Sequence, residues 1–223
     1  MSPKNVISKP KINAEVTNTI YNDLFPHRLN KSDKRKIDII EGAINAYSQL
    51  DYNAITFEDI AIHASTNRRL VQHYFPNKDE LFELCIKVIR GHMQAIAVEA
   101  LLKSAEPEDQ LHAYIRSTFQ WLKLKPAHVR TWILFFLICT QKSKFRKTHS
   151  ELTKMGEKRI IAIISKINLV KEREPSRLSY LAKTIQKIIT GGLMEASTEG
   201  SEEDLQLIQE ETLKACRTIL GLP

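Results

Sequence analysis

The run of residues 56–81, TFEDIAIHASTNRRLVQHYFPNKDEL, constrains the fold of this chain more than any other part of it. Thr56 with Asp59 three residues on has the spacing of a helix N-cap with an acidic partner in the first turn. Ile60, Ala61 and Ala64 then form a helix-spaced face of small and medium apolar residues, as two closely crossing helices require. Ser65-Thr66-Asn67 breaks the pattern, and Asn67 suits the N-cap of a second helix reaching about residue 75. Leu70, Val71 and Tyr74 make its inward stripe, and Arg68, Arg69, Gln72 and His73 take the remaining directions. Pro76 stops that helix, and Asn77-Lys78-Asp79-Glu80 starts another.

Two short helices across a tight turn, with polar side chains on the outer face of the second, are how a helix-turn-helix meets the major groove of DNA. Arg bonds guanine through two hydrogen bonds and Gln bonds adenine, so Arg68, Arg69 and Gln72 have base-reading chemistry. A basic side chain and free N–H groups at the helix start near Lys78 suit a phosphate. Each feature alone has a plainer reading: caps occur in any helical protein, and paired arginines on a short helix are usually a solvated face. The combination at one spacing carries the DNA-binding reading.

These motifs resemble the TetR/AcrR family of transcriptional regulators. The matching positions are Tyr52, Thr56, Asp59-Ile60-Ala61, His73-Tyr74-Phe75-Pro76 and Lys78-Asp79-Glu80-Leu81, in a gapless block of about residues 35–85. The resemblance implies that Thr56, Tyr74 and Lys78 contact phosphates, and that Asn67, Arg68, Arg69 and Gln72 sit in the groove. His73 is expected among the packing or phosphate contacts. Three positions depart from the family, which often has Gly before the Tyr, in the inter-helix turn and in the recognition helix. Here they are Asp51, Ser65 and Arg69. Asp tolerates a left-handed turn, and the long cation at Arg69 implies an operator preference of its own.

Composition points the same way on fold class. Only seven glycines, no sustained alternation and long stretches of 3.6-residue period indicate an all-α protein. The expected layout is an N-terminal extension (1–32), a three-helix helix-turn-helix domain (33–80) and a larger helical effector and dimerisation domain (81–223). In the extension, Val16, Ile20 and Leu24 have the spacing of a short docking helix. Helices are expected over about 32–50, 77–103, 107–124, 126–140, 144–167, 175–197 and 202–220.

The net charge of +7 suits a polyanion, but residues 1–100 hold 13 basic and 12 acidic side chains against 20 and 14 in the remainder. Net charge is therefore a weak argument for DNA. Residues 28–36, which include Arg35, form a basic arm suited to the DNA backbone or minor groove. The run 142–147 reads as a solvated loop. Three isolated cysteines without metal-ligand spacing suit a reducing cytoplasm, and no cofactor or metal is expected. The apolar run 132–139 is too short to span a bilayer, so no membrane partner is expected.

In the C-terminal part, Tyr114, Trp121, Trp132, Phe135, Phe136 and Met155 are candidates for lining an effector cavity, with Arg116 and Arg130 beside them. Residues 110–150 contain no Asp or Glu, which favours a neutral or anionic apolar effector. A Trp121–Trp132 cage for a quaternary ammonium is the competing arrangement. Two seams of three-four spacing, carried by Leu181, Ile185, Ile188 and Gly192 and by Ile208, Thr212, Ala215 and Ile219, fit antiparallel bundle packing. By the resemblance they pair with their twofold mates in a homodimer; otherwise they pack within one chain.

The resulting expectation is a ligand-released homodimeric repressor that binds an operator in double-stranded DNA. Its rival is a helical small-molecule or lipid-binding adaptor of TetR-like fold with no DNA role. An enzyme is not expected, because no phosphate loop, metal cluster or Ser/His/Asp arrangement is present.

Overall fold

The computed structural model describes residues 30–170 and 173–223. The expected docking helix of Val16, Ile20 and Leu24 lies outside the described residues. Among the described residues there are nine α-helices and no strand: α1 (Lys31–Tyr47), α2 (Phe57–His63), α3 (Arg68–Tyr74), α4 (Lys78–Leu102), α5 (Pro107–Leu124), α6 (Pro126–Gln141), α7 (Ser143–Ile164), α8 (Pro175–Ala196) and α9 (Glu202–Leu220).

The helix boundaries have local causes. Asn30 and Thr56 each close a capping box with the Asp three residues on, and Asn67, Asn77 and Ser201 accept a first-turn N–H. Pro107, Pro126 and Pro175 each occupy the first turn of a helix, where a missing N–H costs nothing. Gly221 ends α9 in the left-handed conformation at φ 73°.

Two apolar cores organise these helices. The first runs from α1–α3 into α4, α6 and Phe145 of α7. At its centre Phe82 meets the rings of Tyr47, Tyr52 and Phe145 at centroid distances of 4.7, 4.8 and 5.5 Å. Truncating such a buried ring costs about 3–5 kcal/mol, so α4 anchors the helix-turn-helix as well as leading away from it. The second core gathers α5, α7, α8 and α9. A boundary after residue 80 therefore falls inside a continuous core, because α6 packs on α1 and Thr131 Oγ1 donates to the Ile44 carbonyl at 3.0 Å.

The two turns before α2 and α3 use different chemistry. Asp51 accepts from the backbone N–H of Asn53 (2.8 Å) and Ala54 (3.3 Å), so it makes an Asx turn without a positive φ. The left-handed conformation expected at Asp51 is found at Ser65 instead, at φ 49°. On α1, a Cβ at Gly42 would come within 2.5–2.6 Å of Ala64, including its backbone. α1 and α2 thus cross in near-backbone contact, a role for Gly42 that periodicity does not reveal.

Of the two adjacent glycines, Gly192 lies at the close α8–α9 approach, where a Cβ would sit 2.2 Å from Thr212 Oγ1; Gly191 faces open space. Leu181, Ile185, Gly192, Ile208 and Thr212 are all buried within the single chain. In the single chain these five face the intrachain packing, and Ile188, Ala215 and Ile219 of the expected set keep partial exposure.

Gly42→Ala gains about 1 kcal/mol of helix propensity but meets backbone that no rotamer change can clear. Overpacking of that kind costs about 1–3 kcal/mol, so a lower urea midpoint is expected for Gly42→Ala. Ser65→Gly should act in the opposite direction, because it relieves a left-handed strain of roughly 1–2 kcal/mol against a smaller gain in unfolded-chain freedom. Equilibrium unfolding of the two variants beside the parent checks both signs.

Candidate nucleic-acid interface and effector cavity

The helix-turn-helix presents the expected side chains outward. Arg68, Arg69, Gln72 and His73 are exposed on α3, while Val71 is fully buried beneath them. Tyr74 is half-buried against the first core and has His73 edge-on at 5.1 Å. Asn67 Oδ1 accepts from Leu70 N–H at 2.9 Å, so its oxygen serves the cap while its amide N–H groups stay available for a base.

The expected phosphate contacts are engaged within the chain. Thr56 Oγ1 donates to Asp59 Oδ2 at 2.7 Å and accepts from Asp59 N–H at 3.2 Å. Hydrogen bonds from Thr56 hold the Asp59 carboxyl below its usual range. Lys78 Nζ donates to the Ile55 carbonyl at 2.5 Å and ties the start of α4 to the turn before α2. An ammonium has three donors, so Lys78 can hold that turn and still face a phosphate. Arg35 lies 3.8 Å from Asp38 across one helical turn, a half-exposed pair that weakens its reach for DNA.

Two polar clusters fasten this block to the rest of the chain. Asp79, at the head of α4, is 3.0 Å from Lys142 Nζ and 2.8 Å from Lys144 Nζ, and it accepts the Tyr52 hydroxyl proton. Burial pushes the Asp79 carboxyl up, but hydrogen bonds from Lys144, Tyr52 and Lys142 outweigh it and hold it well below the usual range. Residues 142–147, expected as a solvated loop, therefore form a clamp. Arg146 adds to it by donating to the Cys139 and Thr140 carbonyls at 3.1 and 3.2 Å.

In the second cluster Glu41 of α1 faces His128 of α6 at 3.3 Å and His92 of α4 at 3.7 Å, with the two imidazoles 5.0 Å apart. Both histidines are buried. Desolvation, and then the neighbouring His128, lower the His92 pKa to about 4. Spacing along the chain gives no sign of this three-helix junction.

A cavity of about 640 Å³ opens between α4–α8, within the size range of small-molecule sites. Of the expected lining residues, Tyr114, Trp132, Phe136 and Met155 border it. Trp121 and Phe135 are fully buried core, and no Trp121–Trp132 cage forms, because the rings meet edge to face at 6.3 Å and 80°. Arg116 instead reaches Glu210 at 3.3 Å, and Arg130 is exposed on the outer side of α6. The cations that do border the cavity are Arg90 of α4, Arg159 of α7 and Lys183 and Lys187 of α8. Arg90 was legible in part: Phe82 and Ile86 are buried on its i, i+4 stripe, which Arg90 interrupts.

An exposed arginine-bearing helix after a tight turn, with a cavity between the helices that follow, is the arrangement found in helix-turn-helix regulators. Residues 39–85 match the family described as "Bacterial regulatory proteins, tetR family". That match covers the helix-turn-helix block, so the likeness to the TetR family is one of residues 39–85. The chain is 26% identical over 113 residues to the HTH-type transcriptional regulator BetI of Rhizobium meliloti. That alignment covers 51% of this chain and 56% of the relative, so it spans little more than half the relative's length. The fold is shared with a TetR transcription regulator from Haloarcula marismortui, with a TM-score of 0.70 at 14% identity over 83% of this chain and 97% of that one. It is shared too with AibR, solved in complex with isovaleryl coenzyme A and operator DNA, with a TM-score of 0.63 at 14% identity over 81% and 97%. Among the described residues no helix is long and apolar enough to cross a membrane.

The His92 junction predicts a pH dependence. The folded state keeps His92 neutral down to about pH 4, whereas an unfolded histidine takes up its proton near 6.5. The unfolded chain thus binds more protons between those values, so this contribution is complete above 6.5 and is lost as pH falls toward 4. Melting temperature should decline across that window, and the decline should be shallower in His92→Gln. Equal slopes for the two proteins would rule the contribution out.

Proposed function

We propose that this protein is a cytoplasmic DNA-binding transcriptional regulator and not an enzyme. It acts as a homodimeric repressor that a small apolar effector, neutral or anionic, releases from its operator. The observation that carries the reading is the exposed row Arg68, Arg69, Gln72 on a helix whose opposite side is locked into the core by Val71. Base edges in the major groove are read by side chains of this kind from this position. The fold likeness to AibR, solved with both operator DNA and an acyl thioester, supports pairing a DNA site with a ligand site.

The domain division follows the same logic: 33–80 recognises DNA and 81–223 carries the effector cavity and dimer contacts, with 1–32 as an extension. In the dimer, two recognition helices stand about 34–36 Å apart, one DNA turn. The dimer face is formed by the outer side of α8 and α9, where Tyr180 and Leu207 are both 58% exposed and Ile188, Ala215 and Ile219 lie alongside. Exposed large apolar side chains on adjacent helices suit a partner helix pair.

Ligand and DNA are coupled through α4 and α7. Both line the cavity, and both end on the Asp79 clamp, α4 by Asp79 itself and α7 by Lys144. An effector that favours a different α4–α7 spacing moves the head of α4. That head holds the helix-turn-helix through the Lys78 contacts with Ile55 and Tyr47. DNA affinity then falls by as much as the effector's preference for that state. The second reading, a TetR-like adaptor without DNA, is favoured only by the nearly balanced charge of residues 1–100.

Fluorescence anisotropy with fragments from upstream of the protein's own reading frame, at several salt concentrations, separates the two. A specific complex with a steep salt slope is expected, and absence of binding at low salt would favour the adaptor. Arg69→Ala should cost about 1–3 kcal/mol on the preferred site and relax its sequence preference, while leaving non-specific binding nearly unchanged.

A further inference from the structure

The charged side chains that border the cavity are all of one sign. Four cationic side chains border it and, among the described residues, no Asp or Glu does. Lys183 is matched by Glu157 at 3.8 Å. For Arg90, Arg159 and Lys187, no carboxylate of the described residues comes within ion-pair distance. Arg90 is the most telling of the three. Its Nη1 points at the Met155 sulfur at 3.0 Å, and its buried Nε has no acceptor among the described residues. A thioether is among the weakest acceptors available to a guanidinium, the group best matched to carboxylate and phosphate oxygens. Arg159 lies one turn beyond Met155 on the same face of α7 and borders the cavity together with Tyr114.

Apolar side chains line the same cavity. Trp132 and Phe136 meet edge to face at 5.9 Å, and Met93, Leu152 and Leu193 also border it. Cationic and apolar side chains around one cavity fit a ligand that carries both an acid group and an apolar tail.

We propose that the cavity takes an amphipathic organic anion, its acid group held by Arg90 and Arg159 with Lys187 at the mouth, and its apolar tail lying along Trp132 and Phe136. This deepens the effector-site reading above and rests on it. The anion supplies a far stronger acceptor for Arg90 than the Met155 sulfur. A cationic amphiphile finds like charges and no carboxylate at the cavity, and a neutral one brings no anionic acceptor to Arg90.

The test uses the full-length protein without DNA and follows quenching of tryptophan fluorescence, since Trp132 lines the site. The probes share one tail and differ in head group: decanoate, decyl phosphate, decanol and decyltrimethylammonium, all below their micelle concentrations. An anion is expected to bind at least about tenfold tighter than decanol, and whichever of carboxylate and phosphate binds better identifies the head group. In the double variant Arg90→Gln, Arg159→Gln the anion should fall to the level of decanol. Unchanged decanol binding in that variant shows that the cavity is still folded. The proposal is overturned if decanol or the ammonium binds as tightly as the anions, if the preference survives in the variant, or if no probe binds. An anion that binds in this way yet leaves the DNA complex intact would count against ligand release and uphold the anion site. DNA release by probes with no preference for anions would do the reverse.

Discussion

The packing of Phe82 between Tyr47, Tyr52 and Phe145 is the contact on which the rest of this structure depends. It makes the head of α4 part of the helix-turn-helix core, so the long helix cannot shift without disturbing the elements that aim α3. Side chains packed at this density do not deform gradually; they move between discrete arrangements. A helix of 25 residues buried at one end among the helix-turn-helix elements, and bordering a cavity further along, is suited to passing such a step.

Polar contacts define where that step is resisted. The Asp79 clamp and the Glu41–His92–His128 junction both bind the helix-turn-helix block to helices that line or flank the cavity. Apolar packing sets how much surface is hidden, while these charged contacts fix orientation, because each needs its partners at hydrogen-bonding distance. A change in the spacing of α4 and α7 works against the clamp. Protonation at the histidine junction acts on the same joint from the other side.

Much of the fold was legible because its punctuation is local. The caps at Thr56, Asn67 and Asn77 and the prolines at 107, 126 and 175 fall at the observed helix starts, and each acts through neighbours within a few residues. The outward row on α3 was legible for the same reason, since one buried Val71 places its neighbours. The cavity was legible only in part. Tyr114, Trp132, Phe136 and Met155 border it, but Trp121 and Phe135 are equally apolar and lie one layer deeper. Periodicity marks an inward face without saying whether core or open space lies beyond it.

The sequence by itself determined the helices, the helix-turn-helix and the chemistry offered to DNA, because capping, proline placement and 3.6-residue spacing are properties of neighbours along the chain. Only the tertiary structure decided which contacts join distant segments. It turned the 142–147 run from a solvated loop into a clamp on Asp79, moved the left-handed turn from Asp51 to Ser65, and enclosed the α8–α9 seam within one protomer. It also set Arg90 and Arg159 on one cavity from helices far apart in sequence. Such pairings depend on how helices cross, and a crossing is set by the joint packing of both surfaces, which neither segment encodes alone.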